Sequence, residues 1–366
     1  MKNQCHIYSN SNDDLNKAAD KIIQNKLIIF PSETVYGLGA NALSDEAIRK
    51  IYEIKKRPTT NPLIVHCLGI HDSLTLCNLS QMEEVIFKQL ATKFWPGPLT
   101  MVVRSKNIVS KLVTAGSEFI AIRVPNQKTT LNFIKKCGVP IAAPSANISG
   151  KVSCTTIEHL KNYFNSKNIG IIDDDNYISK YGVESTVIKI NNNSITILRP
   201  GTITKNDIQR SLNDLDQSFI VSYQESNNID SSSPGQNISH YCPDKPVFIL
   251  NIVNIDLKYN DSSLKEELSE KTGQYFKNCV LIDFNSLCFK YRDKFLGYVD
   301  LSKNGDFKEA LYNVYNVFHQ INSLDCDKVY IYNFKFIEKE LNTTLWNRLW
   351  RAAEGKEIAV PESFLV

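Results

Sequence analysis

The sequence lacks the marks of several protein classes. No run of eighteen apolar residues occurs in the 366-residue chain, so no helix is expected to span a membrane. The first residues, from Met1 to Asp14, carry no apolar stretch of the kind a secretory leader needs, so no signal peptide is expected. The nine cysteines are scattered and odd in number, and no two form a C-x-x-C pair. That argues against a disulfide framework and against a zinc ribbon, and reduced thiols in a cytoplasm are the expectation. A net charge of +3 points to no nucleic-acid partner by itself. What remains is an ordinary globular composition, 42% hydrophobic and 22% charged, at a length that suits two domains.

One short stretch is dense in chemistry. The apolar run Leu27-Ile28-Ile29-Phe30 reads as a buried strand, and Pro31-Ser32-Glu33-Thr34-Val35-Tyr36-Gly37-Leu38-Gly39 follows it as a polar loop. Hydroxyls, a carboxylate and backbone N–H groups thus gather at a strand end, where α/β proteins place their sites. A helix is expected next, with Ser44 as N-cap and Asp45 and Glu46 in its first turn. It exits at Lys55-Lys56-Arg57-Pro58, a cationic cluster suited to an anionic ligand.

Further along, helical spacing marks residues 13–25, 82–94, 127–136 and about 204–213. Strands are expected at 63–65, 99–103, 119–124, 140–143, 169–172, 184–190 and 194–198. Their irregular alternation with helices indicates an α/β domain with a mixed sheet over residues 10–213. Residues 214–246 are polar and turn-rich and read as a linker. A smaller α/β domain is expected at 247–366, with strands at 247–250, 280–282 and 329–332 and helices at 306–321 and 340–353.

Several motifs have plainer readings. Gly37-Leu38-Gly39-Ala40-Asn41-Ala42 matches a dinucleotide fingerprint, but six residues separate it from the strand that should precede it, so chance is the better account. Gly150-Lys151 lacks the upstream glycine of a phosphate loop. Lys55 and Arg57 suit a solvated helix end, His66 a structural histidine, and Ser145 and Asn147 a turn beside Pro144. Taken together, hydroxyls, an amide and three cations, Arg199 included, fall at strand ends of one domain, which favours a nucleotide site.

These residues resemble the YrdC/Sua5 family, the threonylcarbamoyl-adenylate synthases that begin the t6A37 modification of tRNA. The resemblance rests on the Pro31–Leu38 stretch, Lys55-Lys56-Arg57-Pro58 with Asn61-Pro62-Leu63-Ile64-Val65-His66, and Trp95-Pro96-Gly97-Pro98-Leu99-Thr100. It continues through Arg123-Val124-Pro125, Ala143-Pro144-Ser145-Ala146-Asn147, Glu184-Ser185-Thr186-Val187 and Arg199-Pro200-Gly201, all in family order. Ser233-Pro234-Gly235, His240-Tyr241 and Pro243 resemble the linker of the long, two-domain Sua5 type. Asn347-Arg348-Leu349 and Arg351-Ala352-Ala353 resemble its C-terminal domain more loosely.

The resemblance implies a YrdC-like mixed twisted sheet with flanking helices, plus a smaller Rossmann-like α/β C-terminal domain. It implies a nucleotidyltransferase that joins L-threonine, bicarbonate and ATP into threonylcarbamoyl-AMP and pyrophosphate, with Mg2+ accompanying ATP and no protein-held metal site. Lys55 and Arg57 would act on the phosphates as the catalytic cations, with Asn61, Phe119, Ser145, Asn147, Ser153 and Arg199 completing the ATP site. Thr34, His66, Arg123, Ala143 and Ser185 would hold threonine. The product would pass to a tRNA threonylcarbamoyl transferase complex, and weak RNA binding is compatible with the fold. The chain departs from the family at Ser32, where Thr is usual, and at Asp174-Asp175, where a glycine pair is common. It departs again at Gln236-Asn237-Ile238-Ser239, where some members supply a nucleotide-contacting Tyr, a place that Tyr241 could take. Two other functions compete. A nucleotide-regulated RNA-binding module would need the cations but not the threonine-site hydroxyls. A hydrogenase-maturation carbamoyl transferase would need the paired cysteines that are missing.

Overall fold

The computed structural model describes residues 5–165, 167, 169–174, 179–215, 219–224, 241–253 and 276–365. The chain divides into two compact units: Met1–Ser149 with Ser153–Gln236, and Gly150–Val152 with Asn237–Val366.

The first unit runs β1 (His6–Tyr8), α1 (Asn12–Ile23), β2 (Ile28–Phe30), β3 (Gly37–Asn41), α2 (Asp45–Lys55), β4 (Ile64–His66), α3 (Ile70–Leu76), α4 (Gln81–Phe94), β5 (Leu99–Arg104) and β6 (Phe119–Arg123). It continues with α5 (Lys128–Cys137), β7 (Ile141–Ala142), α6 (Ile157–Phe164), β8 (Gly170–Ile172), β9 (Thr186–Asn191), β10 (Ser194–Arg199), α7 (Lys205–Leu212) and β11 (Ile220–Tyr223). The described strands form one mixed sheet in the order β1-β8-β2-β3-β7-β4-β6-β5-β9-β10-β11. Ser44 caps α2 as expected, its hydroxyl accepting the Ala47 N–H at 3.2 Å. Ser80 and Glu83 close a capping box on α4.

Beyond β1, α3 and α6, which the sequence reading did not include, two segments are assigned differently. The stretch Gly37–Asn41 is not loop but strand, paired antiparallel with β2. A Cβ on Gly39 would stand 2.6 Å from the Phe30 ring, and one on Gly37 would stand 3.1 Å from it. The two glycines therefore let Phe30 lie across β3, which is their function here rather than a phosphate loop. Within the expected linker, Ile220–Tyr223 pairs parallel with β10 and extends the sheet. The expected interdomain residues Ser233-Pro234-Gly235 and His240 lie outside the described residues.

Strand alternation sorts the sheet into two faces. Ile29, Leu38, Val65, Met101, Ile122 and Ile188 pack in one large core with Ile48 and Ile51 of α2, Phe87 and Leu90 of α4, and Ile208 of α7. On the opposite face, Ile28, Phe30, Ile141 and Ile172 are covered by Leu15, Ala18 and Ile22 of α1 and Phe133 of α5. Beyond β7 that face carries Ile64, Val102, Ala121, Val187 and Leu198, a buried cluster drawn from strands alone. Helices thus cover the first half of this face, and the second half is where the polar strand-end residues stand.

The second unit carries β12 (Val247–Val253), β13 (Cys279–Asp283), β14 (Gly297–Asp300), α8 (Phe307–Asn322), β15 (Lys328–Tyr332), α9 (Glu340–Ala352) and β16 (Glu357–Pro361). Its strands run β14-β13-β15-β12-β16, every pair parallel. That is Rossmann-like in direction, with β12 and β15 exchanged relative to the usual Rossmann order. Tyr241 is fully buried here, stacked on Tyr315 at 5.5 Å, with the Arg348 guanidinium 5.1 Å from its ring. It serves the packing of this unit. Among the described residues no helix is long and apolar enough to cross a membrane.

Candidate active site

The Trp95–Pro98 turn aligns three strand ends. Gly97 N–H donates to Val124 O at 2.8 Å, Thr186 N–H to Pro98 O at 2.9 Å, and the Trp95 indole N–H to Leu99 O at 2.7 Å. The starts of β5 and β9 are thereby held beside the end of β6, so that Thr100, Ser185 and Arg123 share one buried neighbourhood opposite the large core. The Thr100 and Ser185 hydroxyls lie 2.7 Å apart. Arg199 donates to Ser185 O from Nε (3.1 Å) and Nη2 (3.0 Å), and to Ser185 Oγ at 3.2 Å. Gly201 is required just beyond, because a Cβ there would stand 2.4 Å from the Thr186 nitrogen.

A second group lies at the ends of β2, β4 and β6. His66 and Arg123 are register partners in the parallel β4–β6 pair. Glu33, from the loop after β2, reaches Arg123 Nη2 with Oε1 at 2.7 Å, and both side chains are almost wholly buried. Burial, then the Arg123 charge, pushes the His66 pKa down from 6.5 to about 3, so its ring is neutral at physiological pH. Ser32 shapes the loop: its hydroxyl donates to Val35 O at 2.6 Å and lies 2.8 Å from the Thr34 hydroxyl. Tyr181 N–H donates to Glu33 O at 3.0 Å, and Ser179 Oγ donates to Thr34 O, so the segment before Glu184 seals this loop.

A third group surrounds the turn after β7. Ala143 N–H donates to Ile64 O at 2.8 Å, and Ala146 N–H donates to Tyr36 O at 2.7 Å. Lys55 is fully buried, and its ammonium donates to Ser145 O at 2.6 Å and to Asn147 O. Burial, then the nearby Arg57 charge, holds its pKa well below the ordinary lysine value. Ser145 Oγ donates to Asn147 Oδ1 at 2.6 Å. Arg57 donates from Nε to Asn61 O at 3.0 Å and from Nη2 to Asn61 Oδ1 at 2.5 Å and Pro62 O at 2.7 Å. Ser153 Oγ donates to Glu184 Oε1 at 2.7 Å.

The sequence-derived residues therefore fall into linked clusters rather than one ring. Thr34 in the loop after β2, and His66, Arg123 and Ser185 at strand ends, are all buried, while Ala143 packs in the helix-covered cluster with Phe30 and Phe133. Lys55, Ser145 and Asn147 form one knot, and Arg57 with Asn61 forms another. Phe119 stands apart at the start of β6, four residues from Arg123, or roughly 13 Å at about 3.3 Å per residue. Its ring lies 3.9 Å from the Lys189 ammonium and 5.4 Å from the Arg104 guanidinium. In this arrangement Lys55 points at backbone carbonyls and holds the Ser145–Asn147 turn, a task that its place in a basic run did not announce. Glu33, Thr100 and Glu184 were missed as site residues. Glu33 sat in the motif as an unassigned carboxylate, and only the β4–β6 register reveals its partner.

Comparison with known proteins gives two family matches along the chain. The Sua5–YciO–YrdC family, described as "Telomere recombination", matches residues 20–201. The family described as "Threonylcarbamoyl-AMP synthase, C-terminal domain" matches residues 203–354. The chain is similar to the threonylcarbamoyl-AMP synthase of Bacillus subtilis, 40% identical over 66% of this chain and 68% of that protein. It is also similar to that of Pyrococcus abyssi, 39% identical over 64% of this chain and 66% of that protein. Among solved structures, P. abyssi Sua5 complexed with L-threonine superposes with a TM-score of 0.79 at 30% identity, covering 97% of this chain and 99% of that one.

Proposed function

The chain belongs to the two-domain Sua5 family, and from that premise we propose that it makes threonylcarbamoyl-AMP from L-threonine, bicarbonate and ATP, as a nucleotidyltransferase. The observation that carries this reading is the buried Glu33–Arg123–His66 cluster at three strand ends. It is a small, charged, water-poor site of the kind an amino acid needs. Bicarbonate carboxylates the threonine nitrogen. A carbamate oxygen then attacks the α-phosphorus in line, one P–O bond forming as the bond to the leaving pyrophosphate breaks. Positioning and charge neutralisation are most of the work.

In this reading Thr34, His66, Arg123, Ala143 and Ser185 enclose threonine. Arg57, Asn61, Phe119, Ser145, Asn147, Ser153 and Arg199 receive ATP, and Lys55 keeps the Ser145–Asn147 turn in shape beneath it. Magnesium travels with ATP. Among the described residues no three His, Cys, Asp or Glu side chains cluster as a cage, and an octahedral Mg2+ that keeps waters and phosphate oxygens needs none. The labile product passes to a transferase complex acting on tRNA, in the cytoplasm. An RNA-binding role is the weaker reading, because Lys55, Arg57 and Arg123 are each at most 8% exposed and offer little to a phosphate backbone.

The test is pyrophosphate release from ATP with bicarbonate present, comparing L-threonine, L-serine and no amino acid. Release that depends on both L-threonine and bicarbonate is expected. Release indifferent to threonine, or none, overturns the reading.

A further inference from the structure

Three neighbouring side chains hold polar atoms that nothing in the fold satisfies. Among the described residues, both Glu33 carboxyl oxygens, His66 Nδ1, and Arg123 Nε and Nη2 are buried and make no hydrogen bond, Glu33 Oε1 and Arg123 Nη2 meeting only as an ion pair. Native structures pair nearly all such atoms, so five of them on three neighbouring side chains point to a missing ligand. Their chemistry states which kind. Glu33 Oε1 touches only Nη2 of Arg123, at 2.7 Å, which leaves Nε free on the guanidinium edge that normally grips a carboxylate with two bonds. Glu33 Oε2 is a carboxyl oxygen with no partner, beside that edge. A donor edge and an anionic acceptor, side by side and dry, complement a zwitterion.

We propose that the Glu33 carboxylate receives the α-ammonium of the amino-acid substrate and takes a proton from it as the carbamate forms, while Arg123 receives the substrate carboxylate. This rests on the synthase reading above and deepens it, since that reading names no group for the amino end. The balance is simple. An ammonium cannot attack carbon, so one proton must first leave nitrogen, and Glu33 holds it. The N–C bond to bicarbonate then forms, a C–O bond breaks, and the departing hydroxide leaves as water with a second proton from nitrogen. The proton on Glu33 returns to solvent. His66 does not compete for this role: its ring is neutral, and its free Nδ1 offers a hydrogen bond without a charge.

Calorimetric titration of the full-length protein separates the possibilities. The two probes are L-threonine and (R)-3-hydroxybutanoate, which keeps the carboxylate and the hydroxyl and lacks the amine. The wild type is expected to favour threonine by about 30-fold or more, as a buried charge-assisted hydrogen bond would. Glu33→Gln, which keeps size and loses charge, is expected to shrink that preference below about 3-fold, with ATP affinity unchanged. Its kcat at saturating threonine should fall about 100-fold, in the range of a lost general base. A Glu33→Gln protein that retains the threonine preference overturns the binding role, and one with near-normal kcat overturns the proton-accepting role. Should the variant fail to fold, the wild type alone decides: near-equal affinity for the two probes means that no group reads the amine. If the wild type binds ATP but neither probe, the synthase reading itself fails.

Discussion

Two buried carboxylates, one in each unit, are treated differently by their surroundings. Asp283 ends β13, and its oxygens accept from Phe284 N–H at 2.8 Å, Cys288 N–H at 2.7 Å and the Tyr298 hydroxyl at 2.6 Å. Burial raises its pKa, and those hydrogen bonds oppose the rise without cancelling it. The group is complete, and it fastens the loop after the strand. Glu33 ends the other extreme, with one ion pair and one oxygen that nothing meets. Both residues are at most 2% exposed, so burial does not distinguish them. Completeness does. A buried charge whose hydrogen bonds are all made belongs to the architecture, and one left open belongs to a ligand.

The strongest way to break this comparison is to remove the partner of the open charge. Arg123→Met should abolish product formation and cost about 3–5 kcal/mol of stability, because Glu33 is left buried without a counter-charge. The double variant Arg123→Met with Glu33→Gln should recover most of that stability and none of the activity. Urea unfolding with a threonine-dependent pyrophosphate assay reads both. If Arg123→Met alone is as stable as the wild type, the ion pair carries no weight and the contrast with Asp283 dissolves.

Next in size is the acid limb set by His66. Its folded pKa of about 3 lies below the ordinary 6.5, so between those values the unfolded chain binds a proton that the native chain does not. Stability is therefore full above pH 6.5 and is lost as pH falls toward 3, by up to about 1.4 kcal/mol per pH unit. His66→Gln should flatten that limb. Unfolding midpoints from pH 7.5 to 4.5 should show the wild type losing ground to the variant as the solution is acidified. Parallel curves would mean that the ring is not held neutral.

Local rules made much of this molecule legible before the fold was seen. Ser44 and the acids behind it announce the start of α2, and the apolar spacing of Phe307, Leu311, Val314 and Phe318 announces the buried face of α8. Two of the missed elements depend on distant partners. Gly37–Asn41 has poor strand propensity and is a strand because Phe30 occupies the space above its glycines. Ile220–Tyr223 is a strand because β10 offers it an edge. The site shows the same division. Motif residues such as Arg57, Ser145 and Arg199 could be picked out one by one. The pairing of Glu33 with Arg123, ninety residues apart, and of Lys55 with the carbonyls of Ser145 and Asn147, exists only once the strands are in register.

The mildest test addresses the closed charge. Asp283→Asn keeps the shape of the side chain but turns one acceptor into a donor, aimed at groups that already donate. The expected loss is about 1–3 kcal/mol, with pyrophosphate release within about twofold of wild type. The pH dependence has the opposite sign to that of His66. A carboxyl whose folded pKa is raised by burial contributes most below its ordinary value of 3.8, and that contribution is lost as pH rises through the folded value. The stability gap between wild type and Asp283→Asn should therefore narrow from acid toward neutral pH, where the gap at His66 widens. A large loss of activity in Asp283→Asn would place the second unit's strand ends in the chemistry, and completeness would no longer separate scaffold from site.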